Sequence, residues 1–266
     1  MDGSNILEIE RRGGIEIATL NRPEALNALN ESLVAALTEY FQGLHERHDV
    51  RVVILRGAGR AFCAGLDLKA WQNNGQRGRV HHSWSGQRKI ARIMQLMRSC
   101  PQPIIGLGHG AACGGGFSLL LASDVRYGAP SLRMNAAFIK IGLGGCDMGS
   151  SYFLPRLAGA SVAAEFILSG RFIDAQRAYR SNLVSEIIPE DELLDHALLL
   201  AADMLATAPM GLRLSKDALN RNIDAPGFDA AVALEDRQQV MLAMTQDHAE
   251  SIDAFLNKRE PQYADR

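Results

Sequence analysis

Apolar and polar positions along the chain follow two periods, and the changes from one to the other mark out the elements. Ile6 to Glu10 and Ile15 to Leu20 alternate on either side of Arg11-Arg12-Gly13-Gly14, which predicts a β-hairpin. Leu33, Leu37, Phe41 and Leu44 recur at helical spacing behind Asn30, a side chain suited to capping the helix. Apolar runs at Arg51 to Leu55, Pro103 to Leu107 and Asp124 to Tyr127 read as strands. The stripe Ile90, Ile93, Met94 and Met97 predicts a helix over Gln87 to Arg98. Before it, Trp71 to Ser85 is long, polar and glycine-containing, and is expected to form a mobile rim over a pocket. Ser131 to Ile141 is apolar and expected to be extended, and Ser150 to Leu157 helical. From Ser161 onward the pattern is mainly helical, with Ala163 to Leu168, Glu190 to Ala206, Leu212 to Asn220 and Phe228 to Met244 broken by Pro189, Pro209 and Pro226. Strands alternating with helices argue for an α/β fold.

Three glycine-rich corners interrupt this pattern. Ala111-Ala112-Cys113-Gly114-Gly115-Gly116-Phe117-Ser118 stands between a strand and the helical run Phe117 to Ala122. Each glycine costs a helix interior about 1 kcal/mol against alanine, so the triplet reads as a place where backbone approaches something closely. A strand feeding a glycine turn that opens a helix leaves unpaired N–H groups at the positive end of the helix dipole, a cradle for a phosphate or a transient oxyanion. Arg60-Ala61-Phe62-Cys63-Ala64-Gly65-Leu66-Asp67-Leu68-Lys69 repeats the arrangement after the strand at 51–55, and Gly142-Leu143-Gly144-Gly145-Cys146-Asp147-Met148-Gly149 precedes another helix. The phosphate alternative has one more match, Gly106-Leu107-Gly108-His109-Gly110-Ala111, which fits G-x-G-x-x-A after a strand. The acidic residue it requires at the end of a second strand is misplaced, because Asp124 stands at a strand's start. A dinucleotide-binding oxidoreductase is therefore the second class, and NAD(H) fluorescence on mixing separates it from the first.

Composition narrows the classes further. The chain has 266 residues, 47% of them hydrophobic, enough for one large domain or a domain with an appendage. A net charge of −2 gives no reason to expect nucleic acid or a membrane surface as partner. Met1-Asp2-Gly3-Ser4 leads to Glu8 and Glu10 without a basic or apolar leader, so no secretory signal is expected. No run approaches the ~20 apolar residues of a membrane helix. The four cysteines, Cys63, Cys100, Cys113 and Cys146, show neither a C-x-x-C pair nor metal-ligand spacing. They read as reduced thiols of a cytoplasmic protein with no metal, three of them filling tight space beside the glycine corners.

Together the blocks Ala61-Phe62-Cys63-Ala64-Gly65-Leu66-Asp67-Leu68 and Cys113-Gly114-Gly115-Gly116 resemble the crotonase superfamily, the enoyl-CoA hydratases and isomerases. The resemblance extends over nearly the whole chain: Leu20-Asn21-Arg22-Pro23-Glu24-Ala25-Leu26-Asn27-Ala28-Leu29, then Leu154-Pro155-Arg156-Leu157, then Ala254-Phe255-Leu256-Asn257-Lys258-Arg259. It implies an α/β spiral of ββα units with a C-terminal helical region. Residues 1–200 would form the core carrying the CoA site and oxyanion hole, and 201–266 an oligomerisation region, in a homotrimer or a dimer of trimers. It also implies an acyl-CoA substrate and no tightly bound cofactor.

Superfamily chemistry gathers negative charge on a thioester oxygen, which two backbone N–H groups can hold without any titratable side chain. The positions matching those donors are Leu66 and Gly115. Hydratases of the superfamily hold water on two glutamates, and the matching positions are Ser118 and Phe138, or Ile139 with a one-residue shift. None of these accepts a proton at neutral pH, so two-carboxylate hydration is not expected. Asp147 resembles the loop aspartate of several double-bond isomerases, in a loop one residue longer, and a single carboxylate suits isomerisation. Burial among Phe138, Ile141 and Met148 would raise its pKa. The alternatives are Asp147 capping the helix at Gly149 or Ser150, a hydratase with a different acid/base, or a non-catalytic CoA-binding protein. A dehalogenase or hydrolase of aryl-CoA with Asp147 as nucleophile, aided by His81 or His82, also stays open. By the same resemblance CoA meets Arg22, Ala25 and Leu26 with Ala64 and Lys69, and Lys258 reaches a neighbour's CoA. Arg77, Arg79 and Arg88 read as a solvated rim, and the pocket walls are expected from the 71–85 segment with Phe117, Met134 and Tyr152.

Overall fold

A computed structural model describes residues 6–71 and 79–266. The chain opens with an antiparallel hairpin of β1 (Leu7–Arg12) and β2 (Ile15–Leu20), turned at Gly13 with φ +60°. A single 3-10 turn at Pro23–Ala25 leads to α1 (Glu31–Gly43), where the Asn30 side chain accepts from Leu33 N–H at 2.9 Å. Leu33, Leu37 and Phe41 are buried, as their spacing predicts. β3 (Val52–Gly57) lies parallel to β2. Then come α2 (Arg79–Ser99), β4 (Ile104–Gly108), β5 (Ala111–Cys113) and α3 (Gly115–Ala122). β6 (Val125–Gly128) and β7 (Arg133–Asn135) precede α4 (Ser150–Ala158) and α5 (Ala160–Ser169). β8 (Ile173–Asp174), α6 (Ala175–Arg180) and β9 (Glu186–Ile187) follow. The chain closes with α7 (Leu193–Leu205), α8 (Pro209–Asn222), α9 (Phe228–Ala243) and α10 (Gln246–Leu256).

The strands form a six-stranded sheet in the order β1-β2-β3-β4-β6-β9 and a three-stranded sheet in the order β5-β7-β8. Among the described residues, only β1/β2 and β7/β8 pair antiparallel. β3 shows why the central strands read as unbroken apolar runs. Its Val53 and Leu55 join the larger core with α1, α2 and α3, while Val52 and Ile54 face the other way onto Ala197 and Ala201 of α7. A strand covered on both faces has no polar side to alternate with. Helix α7 runs through residue 200, packed on that second face of the sheet.

Several sequence expectations are corrected. α2 begins at Arg79, eight residues before the expected start, so the latter part of the 71–85 rim is helical. Val80 and Trp84 in its first turns are exposed, which is why no apolar stripe marks them. Residues 131–141 are not extended throughout: β7 has three residues, and Ala137–Ile141 is a 3-10 helix. Gly115 and Gly116 are themselves the first helical residues of α3. Pro209 separates α7 from α8 as expected, but α8 begins at Pro209 itself, three residues before Leu212, a first-turn position that needs no N–H. Among the described residues, no single helix is long and apolar enough to cross a membrane.

Candidate active site

The first two glycine corners are stitched to each other by main chain. Phe62 N–H donates to His109 O at 2.9 Å, Cys63 N–H to Ala111 O at 3.0 Å, and Cys113 N–H to Cys63 O at 3.0 Å. Gly65 has φ +100°, and a Cβ on it would fall 2.8 Å from Cys113 O, so only glycine fits on both counts. On the other side, Leu29 N–H donates to Gly65 O at 2.7 Å and Asp67 N–H to Leu29 O at 3.1 Å. That parallel pairing uses the groups flanking Leu66 and turns the N–H of Leu66 itself away from Leu29.

The second corner is held as closely. Gly114 adopts φ +50° and donates its N–H to Asn135 O at 3.0 Å. The helical bonds of α3 begin with Ser118 N–H to Gly114 O at 3.0 Å, which leaves Gly115 among the orphan donors of the first turn. A Cβ on Gly115 would meet Leu29 Cδ1 at 2.6 Å, and one on Gly116 would meet Cys63 O at 2.1 Å. The helix therefore starts on glycine because nothing larger lets it lie against the first corner. Among the described residues, neither Leu66 nor Gly115 gives its N–H to a protein carbonyl, and both line one cavity of about 120 Å³.

Apart from Gln87 and Asp147 the rest of the described lining is apolar, with Leu68, Ile90, Phe138, Ile141, Leu143 and Met148 as its larger side chains. Asp147 is the one ionisable side chain among the described residues that line it. Its loop is fastened by Asp147 N–H to Ser150 Oγ at 3.1 Å and Ser150 N–H to Asp147 O at 2.8 Å. Oδ1 accepts from Met148 N–H at 2.7 Å and from Gln87 Nε2 on α2. Burial pushes the Asp147 carboxyl above its ordinary range, and the N–H groups of Met148 and Gln87 pull the other way. The capping alternative is not what the structure holds, because the N-cap of α4 is Gly149 and carries no side-chain cap bond.

The other sequence-designated residues divide into two groups. Ser118 is fully buried with Oγ directed at Asp147 O, 3.5 Å away, and the Phe138 ring packs against Gly114. Leu26, left-handed at φ +51°, accepts from Ala64 N–H at 2.9 Å, so the turn bearing Ala25 and Leu26 borders the first corner. Arg22 is tied down there: its guanidinium donates to Asp67 Oδ2 at 3.1 Å and to Ala28 O, so its charge is already partnered. Lys69 and Lys258 are exposed, the latter just past α10, and neither lines the cavity. His81 is exposed on α2 and also outside the lining, while the side chain of His82 and all of Arg77 lie outside the described residues. The expected walls are corrected as well. Phe117 and Met134 are fully buried in the core, and Tyr152 turns its hydroxyl to Asp224. Residues 106–111 do not form a dinucleotide turn, because β4 passes into β5 rather than a helix, with His109 Nε2 at 2.9 Å from Gly59 O. Gln87 is the site residue that sequence reading missed. Its signal was a polar side chain three residues before Ile90, on the face that Ile90 and Met94 continue.

Comparison with known proteins follows the same lines. The sequence profile described as enoyl-CoA hydratase/isomerase matches residues 10–266. A protein of Mycobacterium bovis named probable enoyl-CoA hydratase is 33% identical, over 98% of this chain and 93% of its own. The 1,2-epoxyphenylacetyl-CoA isomerase of Escherichia coli is 32% identical, over 94% of this chain and 95% of its own. The crystal structure of an enoyl-CoA hydratase from Bacillus anthracis superposes with a TM-score of 0.93 at 30% identity, covering 98% of this chain and 100% of that one. With a profile that spans nearly every residue and relatives that align from end to end, the chain belongs to the enoyl-CoA hydratase/isomerase family and has the crotonase fold.

Proposed function

We propose that this enzyme moves the double bond of an enoyl-CoA, with Asp147 as the one acid/base and the N–H groups of Leu66 and Gly115 holding the thioester oxygen. The observation that carries the reading is the lining of the cavity. It offers two main-chain donors and a single carboxylate, while Ser118 and Phe138 stand at the positions that the superfamily resemblance matches to the glutamates of hydratases. In a 3-enoyl-CoA the carboxylate takes a proton from C2, the C–H electron pair moves into a dienolate, and charge collects on the thioester oxygen between the two amides. The same proton is then given to C4, which leaves a 2-enoyl-CoA and the carboxylate restored. Raising the Asp147 pKa by burial brings it nearer the working pH, where a shuttling group is most effective.

The substrate is the CoA thioester itself, with no resident cofactor. Ala25, Leu26 and Ala64 border its entrance, Lys69 supplies an exposed cation for its phosphates, and Lys258 serves a neighbouring subunit's site. Exposed Phe228, Met244 and Phe255 on α9, after it and on α10 support residues 201–266 as an oligomerisation region. A trimer, or a dimer of trimers, would cover them. The largely apolar lining of the cavity favours an apolar acyl group, an alkenyl chain or an aromatic ring. The Escherichia coli relative favours a second reading, in which the ring carries an epoxide.

The test is a panel of 3-enoyl-, 2-enoyl- and aryl-epoxide CoA thioesters in deuterated water, read by mass spectrometry. Double-bond migration in the parent, lost in Asp147→Asn with thioester affinity retained, is the expected result. Full activity in Asp147→Asn rejects the role. Halide release from a haloaryl-CoA, or binding without product from any thioester, would favour the alternatives.

A further inference from the structure

Resting on that reading of Asp147, we infer that Gln87 is a positioning residue, one that occupies Oδ1 of Asp147 and thereby leaves Oδ2 as the atom that exchanges protons with substrate. Two N–H donors converge on Oδ1, from Met148 at 2.7 Å and from Gln87 Nε2. Among the described residues Oδ2 has no donor. The Met148 bond is local to the loop and cannot by itself fix the carboxylate plane against the substrate. Gln87 comes from a different element, and a donor across the cavity removes that rotational freedom.

The placement of Gln87 is itself built in. It lies on α2 in line with Ile90, which lines the same cavity, and with buried Met94. Its neighbour Gly86 has no side chain, and a Cβ there would stand 3.0 Å from the ring of Trp71. Trp71 is anchored in turn by Nε1 donating to Leu29 O at 2.8 Å. Leu29 is the residue whose main chain brackets Leu66 and whose side chain lies against Gly115. The register of α2 over Asp147 is thus referred, through Trp71, to the residue that sets both amides.

An amide is suited to this position. It donates to the carboxylate without carrying charge, so it neither traps the anion as a guanidinium would nor repels it as a second carboxylate would. Among the described residues that line the cavity, the elements packed around Asp147 bring no second ionisable side chain. α2 contributes Gln87 and Ile90, the corners Leu66 and Gly115, the 3-10 helix Phe138, and the loop Leu143 and Met148, none of them titratable. The acid limb of the rate profile is therefore set by burial of Asp147 against its two N–H donors.

The experiment compares the parent with Gln87→Met, which keeps the volume without the donor, and Gln87→Glu, which keeps the shape with the wrong charge. Two readouts are taken: the pH profile of kcat and KM with 3-hexenoyl-CoA, and the Asp147 carboxyl titration by ¹³C NMR, assigned through its absence in Asp147→Asn. Gln87→Met is expected to lower kcat by roughly tenfold with KM changed by less than about twofold, and to move both the acid limb and the carboxyl titration to higher pH. Gln87→Glu is expected to move them further in the same direction. An unmoved carboxyl titration in both variants overturns the assignment of Gln87. A titration that moves while the rate profile stays fixed leaves the Gln87 contact standing and instead rejects Asp147 as the base.

Discussion

Gly116→Ala tests how the two corners are held together. Gly116 lies in the first turn of α3, and its Cβ would sit 2.1 Å from Cys63 O and 2.8 Å from Cys63 Cβ. Relief to ordinary contact distance demands about 1 Å of separation or more. The obstacle is main chain, and Cys63 O already accepts from Cys113 N–H at 3.0 Å, so the neighbour cannot yield without loosening that bond. Overpacking of this kind costs about 1–3 kcal/mol, toward the upper end where backbone must move. Alanine offsets about 1 kcal/mol of it through helix propensity. The expected net loss is about 2 kcal/mol in urea denaturation at unchanged m, with kcat/KM down by roughly 100-fold for an amide displaced by about 1 Å. Gly211→Ala is the matched control: it also lies in a helix, with only Ala208 Cβ at 3.9 Å, and should gain up to about 1 kcal/mol. Equal stability changes in the two variants, or wild-type turnover in Gly116→Ala, would refute the close-approach argument.

Three further outcomes follow from particular contacts. Folding raises the Asp147 titration, so the protonated carboxyl favours the fold below its ordinary range, and that contribution is lost as pH rises through the folded-state range. Asp147→Asn should therefore have a higher denaturation midpoint than the parent near neutral pH and no such advantage at about pH 3. Lys216, buried on α8, donates to Asp124 Oδ2 at 2.8 Å, Gln102 O at 2.7 Å and Met97 O at 3.0 Å. Lys216→Met should cost about 2–3 kcal/mol, read by calorimetry, because two carbonyls lose this donor and Asp124 is left with Ile104 N–H at 2.8 Å and Arg98 at 3.4 Å. Light scattering at micromolar concentration should give a mass of three or six chains, and a mass of one chain would reject the oligomer.

Much of the architecture was legible because its signals are local. The hairpin, the α1 stripe and the strand-to-glycine corners each carry a period or a turn residue that a sequence displays. What escaped reading was decided by distant contacts. β8 and β9 have two residues each, too few to show any alternation. The Gly115–Gly116 start of α3 runs against propensity, and only the backbone of Cys63 and the side chain of Leu29 account for it. Arg22 reads as a free cation until Asp67 is seen 3.1 Å away. Phe117 and Met134 sit in apolar runs near the corners, yet the fold turns both into the core and brings Leu68, Ile141 and Leu143 to the cavity instead. Gln87 is the clearest case, since nothing within its own helix says that a loop sixty residues onward supplies its partner.

The crossing of Cys63 with residues 111–113 also bears on how such a protein can diversify. The amides of Leu66 and Gly115 belong to the polypeptide itself, and the stitching that aims them is peptide to peptide. Exchanging a side chain at 118, 138 or 147 leaves that lattice in place. On the proposed roles of Leu66 and Gly115, novel reactions can therefore be explored by single substitutions around a main-chain anion trap that most side-chain changes leave untouched. Lineages built on this seam are free to change what they do to a thioester long before they change how they grip it.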